Sequence, residues 1–246
     1  MHESSRVVTP VTDHRRHTCD NRSMPTLTEE RTVGEIAAER PTSVRVFEKY
    51  EIDYCCGGKI SLAAACAGRG ITSERLIEEL DAAAAPTAGE APDWQTASLT
   101  DLIDHILTTH HAWLKTELPR LSRLQQKVTA AHGAAHADSL LPLGETLEAL
   151  RQELEAHMMK EEMVLFPMIR AGSASVANPI RCMEHEHDSA GRALERMRAV
   201  TGIYTLPADA CNSYRALFAG LEELEADLHQ HIHLENNILF PRAAAR

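Results

Sequence analysis

Two stretches of this chain carry the same residues at the same spacing. His157, Glu161, Val164, Leu165, Phe166 and Pro167 correspond to His231, Glu235, Ile238, Leu239, Phe240 and Pro241, 74 residues further on. Positions i and i+4 of a helix share one face, so each histidine projects beside its glutamate. Imidazole with carboxylate is a ligand set for iron, with manganese second. A helix with a central histidine precedes each copy. His187 precedes the second, and either His110 or His111 the first; His111 and His187 are 76 residues apart. A duplicated helix pair makes a bundle with an approximate twofold axis, which gathers both His–Glu pairs and both lone histidines at one centre.

Helical periodicity puts these residues inside. His157 shares its face with Leu150, Leu154 and Val164, and His231 with Leu224, Leu228, Leu234 and Ile238. His187 lies with Met183, Ala190 and Leu194. His185 falls among Arg181, Ser189 and Arg192, and His229 and His233 neighbour Glu222, Glu225 and Asn237, so all three are expected on wet faces. His110 aligns with Ile103, Ile106 and Leu114, and His111 with Leu107, Leu114 and Leu118, a near tie that tilts to His110. A buried, unpartnered carboxylate costs several kcal/mol. Two of them close together must protonate or take up cations. Four histidines and two glutamates exceed one tetrahedral zinc and suit two ions bridged by both carboxylates. Leu-Phe-Pro reads as a helix end packed into the core.

A second chemical feature is Cys55-Cys56, followed by Gly57, Gly58 and Lys59. Adjacent thiolates chelate one metal poorly, and a vicinal disulfide is strained, hence labile and suited to redox work. Lys59 is placed to lower a thiol pKa. Cys66, Cys182 and Cys211 fall in helices and read as structural. His14, His17 and Cys19 read as parts of a solvated tail.

These residues need helices to position them. The chain has 246 residues, a formal charge of -11 and only 4% aromatics, a mix that favours helices over a sandwich or barrel. The acidic balance argues against nucleic acid, and no run of ~18 apolar residues offers a membrane span. Sparse cysteines and a polar start without an apolar signal core point to a reducing, cytoplasmic setting. Residues 1–30 read as a disordered tail, within which Met24 is a possible second start. Residues 31–85 read as a small helical unit, opened by a capping box of Thr32 with Glu35. Residues 86–96 form a linker. Beyond it, 97–243 reads as an up-down four-helix bundle, with helices over 97–128, 138–170, 177–200 and 208–241.

With these motifs laid out, the chain resembles the iron–sulfur cluster repair di-iron proteins. Those join a small Cys-Cys-Gly-Gly domain to a hemerythrin-like domain. Asp53 to Lys59 resembles the first; His157 to Pro167, Glu186-His187-Asp188 and His231 to Pro241 resemble the second. The resemblance spans about residues 30–243 and selects His111 over His110. It implies an all-α, hemerythrin-like fold and two non-haem irons per chain, oxo- or hydroxo-bridged, held by His111, His157, Glu161, His187, His231 and Glu235. It also implies functional Cys55 and Cys56, with Glu153 and Glu186 as carboxylates beside a channel to the irons. The implied work is repair of clusters damaged by nitric oxide or oxidative stress, with a labile di-iron centre as iron donor. Nitric oxide reduction and nitric oxide buffering are the alternatives. Damaged iron–sulfur proteins are the implied partners, nitric oxide or dioxygen the small ligands, and a homodimer the implied assembly.

Overall fold

The computed structural model describes residues 26–67, 69–83 and 92–246. Residues 1–25 of the N-terminal tail, with His14, His17 and Cys19, lie outside these residues, but its last part packs on the small unit: Leu27 is buried in the core, and the Glu29 carbonyl accepts the Ala63 N–H. The described residues are helical, with one isolated antiparallel bridge between Thr32 and Ser61.

The small unit holds α1 (Val33–Glu39), α2 (Ser43–Lys49), α3 (Leu62–Ala67) and α4 (Ser73–Ala83). Thr32 and Glu35 form the capping box that their spacing predicts. Val33, Ile36, Phe47, Leu62, Leu76 and Leu80 fill its core. The core continues through Tyr54 into the large unit, so the two pack as one apolar cluster with Leu228 and Ile232.

The large unit begins with α5 (Leu99–His105), capped by the Ser98 side chain at the Asp101 amide. A π-helical turn, Ile106–His111, leads into α6 (Ala112–Lys160). The predicted gap between 128 and 138 does not interrupt helical bonding. The chain instead reverses at His136, where φ −129° and ψ 33° leave the helical range. The two arms of α6 run antiparallel: Gln125 donates to the Leu140 carbonyl, Ser122 to Glu148 and Lys115 to Glu162. A second π turn, Glu161–Leu165, leads into α7 (Phe166–Arg170). α8 (Ala177–Thr201) stops at Gly202, which adopts the left-handed φ of 60°. α9 (Asn212–Leu234) passes through a third π turn, Glu235–Leu239, into α10 (Phe240–Ala244).

Leu-Phe-Pro therefore does not end its helices, contrary to the sequence reading. Proline has no N–H to give the carbonyl four residues back. The preceding residue reaches further: Phe166 N–H bonds the Glu161 carbonyl, and Phe240 N–H the Glu235 carbonyl. Each prolyl helix thus carries a π turn that starts at a repeat glutamate. Such turns recur at functional sites because they redirect side chains. Among the described residues no helix is long and apolar enough to cross a membrane.

Candidate metal centre

All six repeat-derived residues meet inside the bundle, each at most 3% exposed. They form two overlapping groups of potential ligands. One is His111, Glu161, His231 and Glu235; the other is His157, Glu161, His187 and Glu235. Both carboxylates belong to both groups.

The imidazoles are turned for coordination. His111, His157 and His187 each place Nδ1 at hydrogen-bond distance from an oxygen, of Glu162 at 2.8 Å, Glu186 at 2.9 Å and Asn236 at 2.8 Å. An oxygen there sets Nδ1 as the donor and leaves a lone pair on Nε2. Those Nε2 atoms point inward. His157 and His187 present them 3.1 Å apart, and His111 and His231 3.2 Å apart. Facing lone pairs repel unless a proton or a cation lies between them.

The carboxylates make the same demand. Glu161 and Glu235 are fully buried. Neither Glu161 oxygen, nor Oε2 of Glu235, has a hydrogen-bond partner among the described residues. Glu161 Oε2 lies 3.4 and 3.3 Å from Nε2 of His111 and His157. Glu235 lies 3.1 Å from His187 and 3.1 Å from His231. Burial pushes both carboxyls up, and for Glu161 so does Glu235. The surrounding imidazoles outweigh this: His157 and His111 draw Glu161 below the usual carboxylate range, and His231 and His187 draw Glu235 well below it. For the protein without metal, burial likewise opposes charge on His157, but Glu161 and Glu235 raise it to about 9. Oxygen acceptors without donors and converging lone pairs fit cations at this centre.

Residues 102–243 match the Hemerythrin HHE cation binding domain. Residues 29–84 match ScdA_N, a domain of unknown function. The iron-sulfur cluster repair protein YtfE of Edwardsiella ictaluri is 42% identical over 218 residues, covering 87% of this chain and 96% of that protein. YtfE of Escherichia coli O157:H7 is 43% identical over 216 residues, with the same coverage. A probable iron-sulfur cluster repair protein of Haemophilus influenzae is 41% identical, covering 85% of this chain and 95% of that protein. The chain belongs to the iron–sulfur cluster repair family. Membership in the hemerythrin class carries non-haem iron binding to this domain.

Around the centre, two of these Nδ1 partners are carboxylates and one is an amide. Glu186 reaches His157 and also pairs with Lys160. Glu153 does not: it is exposed, on a shallow surface depression with Ser189 and Arg192. Glu162, which the sequence reading missed, takes the Glu186 role at His111 and pairs with Lys115 at 2.7 Å. Its repeat counterpart is Asn236, the partner of His187, so the 74-residue offset points to both. Burial works against ionisation of Glu186 and Glu162, but their lysine and histidine partners keep both below the usual range. Outer partners of this kind typically hold 10–100-fold in metal affinity. Glu162→Gln and Glu186→Gln are each expected to weaken iron retention by about that factor in a chelator competition.

His110 is buried as well. It bonds Asp227 at 2.8 Å and stacks on His231, centroids 5.3 Å apart. Two other expectations fail. Val164 is half exposed rather than lying under His157. His233 is buried, because the small unit covers the face of α9 that was read as wet. The Tyr54 ring meets it edge-on at 5.5 Å, and Asn237 bonds its Nδ1 at 3.0 Å. His185 is exposed, as expected.

Burial lowers His233 to about 4. A group depressed from 6.5 keeps its full stability contribution above 6.5 and loses it as pH falls toward 4. That loss amounts to roughly 3 kcal/mol. Urea titrations should therefore show the stability advantage of wild type over His233→Gln shrinking by about that amount between pH 7 and pH 4.

The double cysteine sits against the bundle at α8. Asp53 accepts the amides of Cys55 at 3.0 Å, Cys56 at 2.9 Å and Gly57 at 2.7 Å, which folds the loop. Both thiols are free, their sulfurs 3.7 Å apart. The Cys56 thiol donates to the carbonyl of the candidate ligand His187 at 3.4 Å. Asn236 and Asn237 donate to the Cys55 and Tyr54 carbonyls at 3.2 and 3.0 Å. Lys59 does not activate a thiol, because its ammonium is bound 2.9 Å from Glu184. The Cys56 thiol, burial and the Asp53 carboxylate instead push the Cys55 thiol well above its ordinary value. Cys66 is buried, as a structural residue should be, but Cys182 and Cys211 are exposed.

Proposed function

We propose that this protein repairs iron–sulfur clusters damaged by nitric oxide or oxidative stress, with a labile two-iron centre as the iron source. Its relatives' names supply the reaction. The observation that carries the two-iron reading is the sharing of both buried carboxylates by two histidine pairs. His111 with His231 would hold one ion and His157 with His187 the other, with Glu161 and Glu235 bridging. Iron bound there would supply a releasable ion for rebuilding a cluster and positions open to a small ligand such as nitric oxide or dioxygen. Glu162, Glu186 and Asn236 orient the rings through Nδ1.

Cys55 and Cys56 connect this centre to a client protein. They line a cleft of about 490 Å³ together with Tyr54, Gly191 and Arg198. A damaged cluster meeting the cleft would find thiols one hydrogen bond away from the backbone of a metal-ligating helix. The test is restoration of a nitric-oxide-damaged cluster enzyme in cells. Cys55→Ala with Cys56→Ala should keep its iron and lose repair; unimpaired repair would remove the thiols from the account.

A second reading rests on ligand number. Each group offers fewer donors than octahedral iron accepts, which leaves room for a small ligand. Several nitrous oxide turnovers per site would establish a nitric oxide reductase, whereas stoichiometric nitrosylation alone would indicate buffering. The reading also carries a reducing, cytoplasmic setting, where the thiols stay free, and a homodimer, which sedimentation equilibrium would test as twice the chain mass.

A further inference from the structure

A separate cluster of ligand-type side chains lies at the far end of the bundle. His132 and His136 stand at i and i+4, the spacing of the central His–Glu pairs, on the turn where α6 reverses. Asp209 approaches them from the connection between α8 and α9. One atom from each of the three lies within 4.8 Å of the others. His136 is 25 residues from His111, roughly 35 Å along a helix. This cluster is therefore independent of the iron centre.

The rings are held in place. Both rest edge-on against buried Tyr214, with centroids 5.4 Å from His132 and 6.0 Å from His136. Both are partly shielded, at 15% and 25% exposure. An ordinary hydrogen bond accounts for only one of them. His136 Nε2 bonds Asp209 Oδ1 at 3.0 Å. His132 Nδ1 faces Oδ2 of the same carboxylate at 3.8 Å, too far for a hydrogen bond.

We propose that His132, His136 and Asp209 form a second cation site, for a zinc-class divalent ion. Two imidazoles and one carboxylate are a three-residue zinc set, with water free to complete the tetrahedron. The site joins the tip of the α6 reversal to the α8–α9 connection. It thereby ties the two halves of the repeat together at the end opposite the irons.

The test uses the full chain with its iron centre loaded. Zinc is added, excess is removed by dialysis, and zinc and iron are both measured. The wild type should take up one zinc per chain with iron unchanged. Loss of an outer partner alone costs 10–100-fold, so loss of a direct ligand in Asp209→Asn should weaken zinc at least about 100-fold. Asp209 is more than half exposed, so this variant keeps the fold. His132→Ala with His136→Ala should take up no zinc. Cobalt in place of zinc should give visible d–d bands that His132→Ala with His136→Ala abolishes. Zinc uptake equal in wild type and Asp209→Asn would overturn the proposal, as would zinc uptake by the double histidine variant.

Discussion

Glu161→Leu, and separately Glu235→Leu, is expected to cut iron to about one per chain or less and to abolish repair. Each carboxylate serves both histidine pairs. Its removal withdraws a donor and a negative charge from two ions at once, in a site shielded from water where charge balance matters most. The fold should survive. Removing one partner of a buried pair is costly when the other stays charged. His111 and His157 relieve that cost by giving up protons more readily, since Glu161 and Glu235 are both among the carboxylates that raise them. For metal-free protein, His157 in Glu161→Leu should therefore titrate below its wild-type value of about 9. Metal analysis and histidine NMR on the same samples check both halves. Two irons retained in both variants would refute bridging.

Gly58→Val should do the opposite, leaving iron in place while removing repair. A Cβ on Gly58 would stand 2.7 Å from the Tyr54 carbonyl oxygen and 3.0 Å from the Gly34 Cα. Both are backbone atoms and cannot rotate away. The Gly34 N–H also bonds the Gly58 carbonyl at 2.8 Å, so separating these segments breaks that contact too. Overpacking of this sort costs about 1–3 kcal/mol. The loop that presents Cys55 and Cys56 to α8 would bear that cost, whereas the six candidate ligands lie in the bundle. Iron content near wild type, with cluster restoration down at least about tenfold for a 1.4 kcal/mol loss of the docked state, is the expected pattern. Repair at wild-type rate would show that the docked loop is not needed.

The candidate centre was legible because its signal is doubled. One i, i+4 His–Glu pair on an apolar face also suits an ordinary core hydrogen bond. Two pairs in a duplicated frame require a shared destination. The tie between His110 and His111 has a physical origin. Both sit in the π turn Ile106–His111, whose extra residue per turn lets consecutive side chains face inward, and a 3.6-residue period cannot describe that. His233 was misread because periodicity treats α9 as part of a bundle alone, while Tyr54 arrives from a different unit 179 positions earlier. The Lys59 expectation failed for a similar reason. Its partner Glu184 lies on α8, and only the docked structure brings it within 2.9 Å. Local helices and caps of the small unit came through nearly intact, since capping and glycine signals act over a few residues.

The most direct measurement is metal identity and stoichiometry on protein purified without oxygen. The account predicts two irons per chain, antiferromagnetically coupled through shared bridges, and lost together on mild acidification as the ligand imidazoles protonate. One iron or none after anaerobic reconstitution would contradict it.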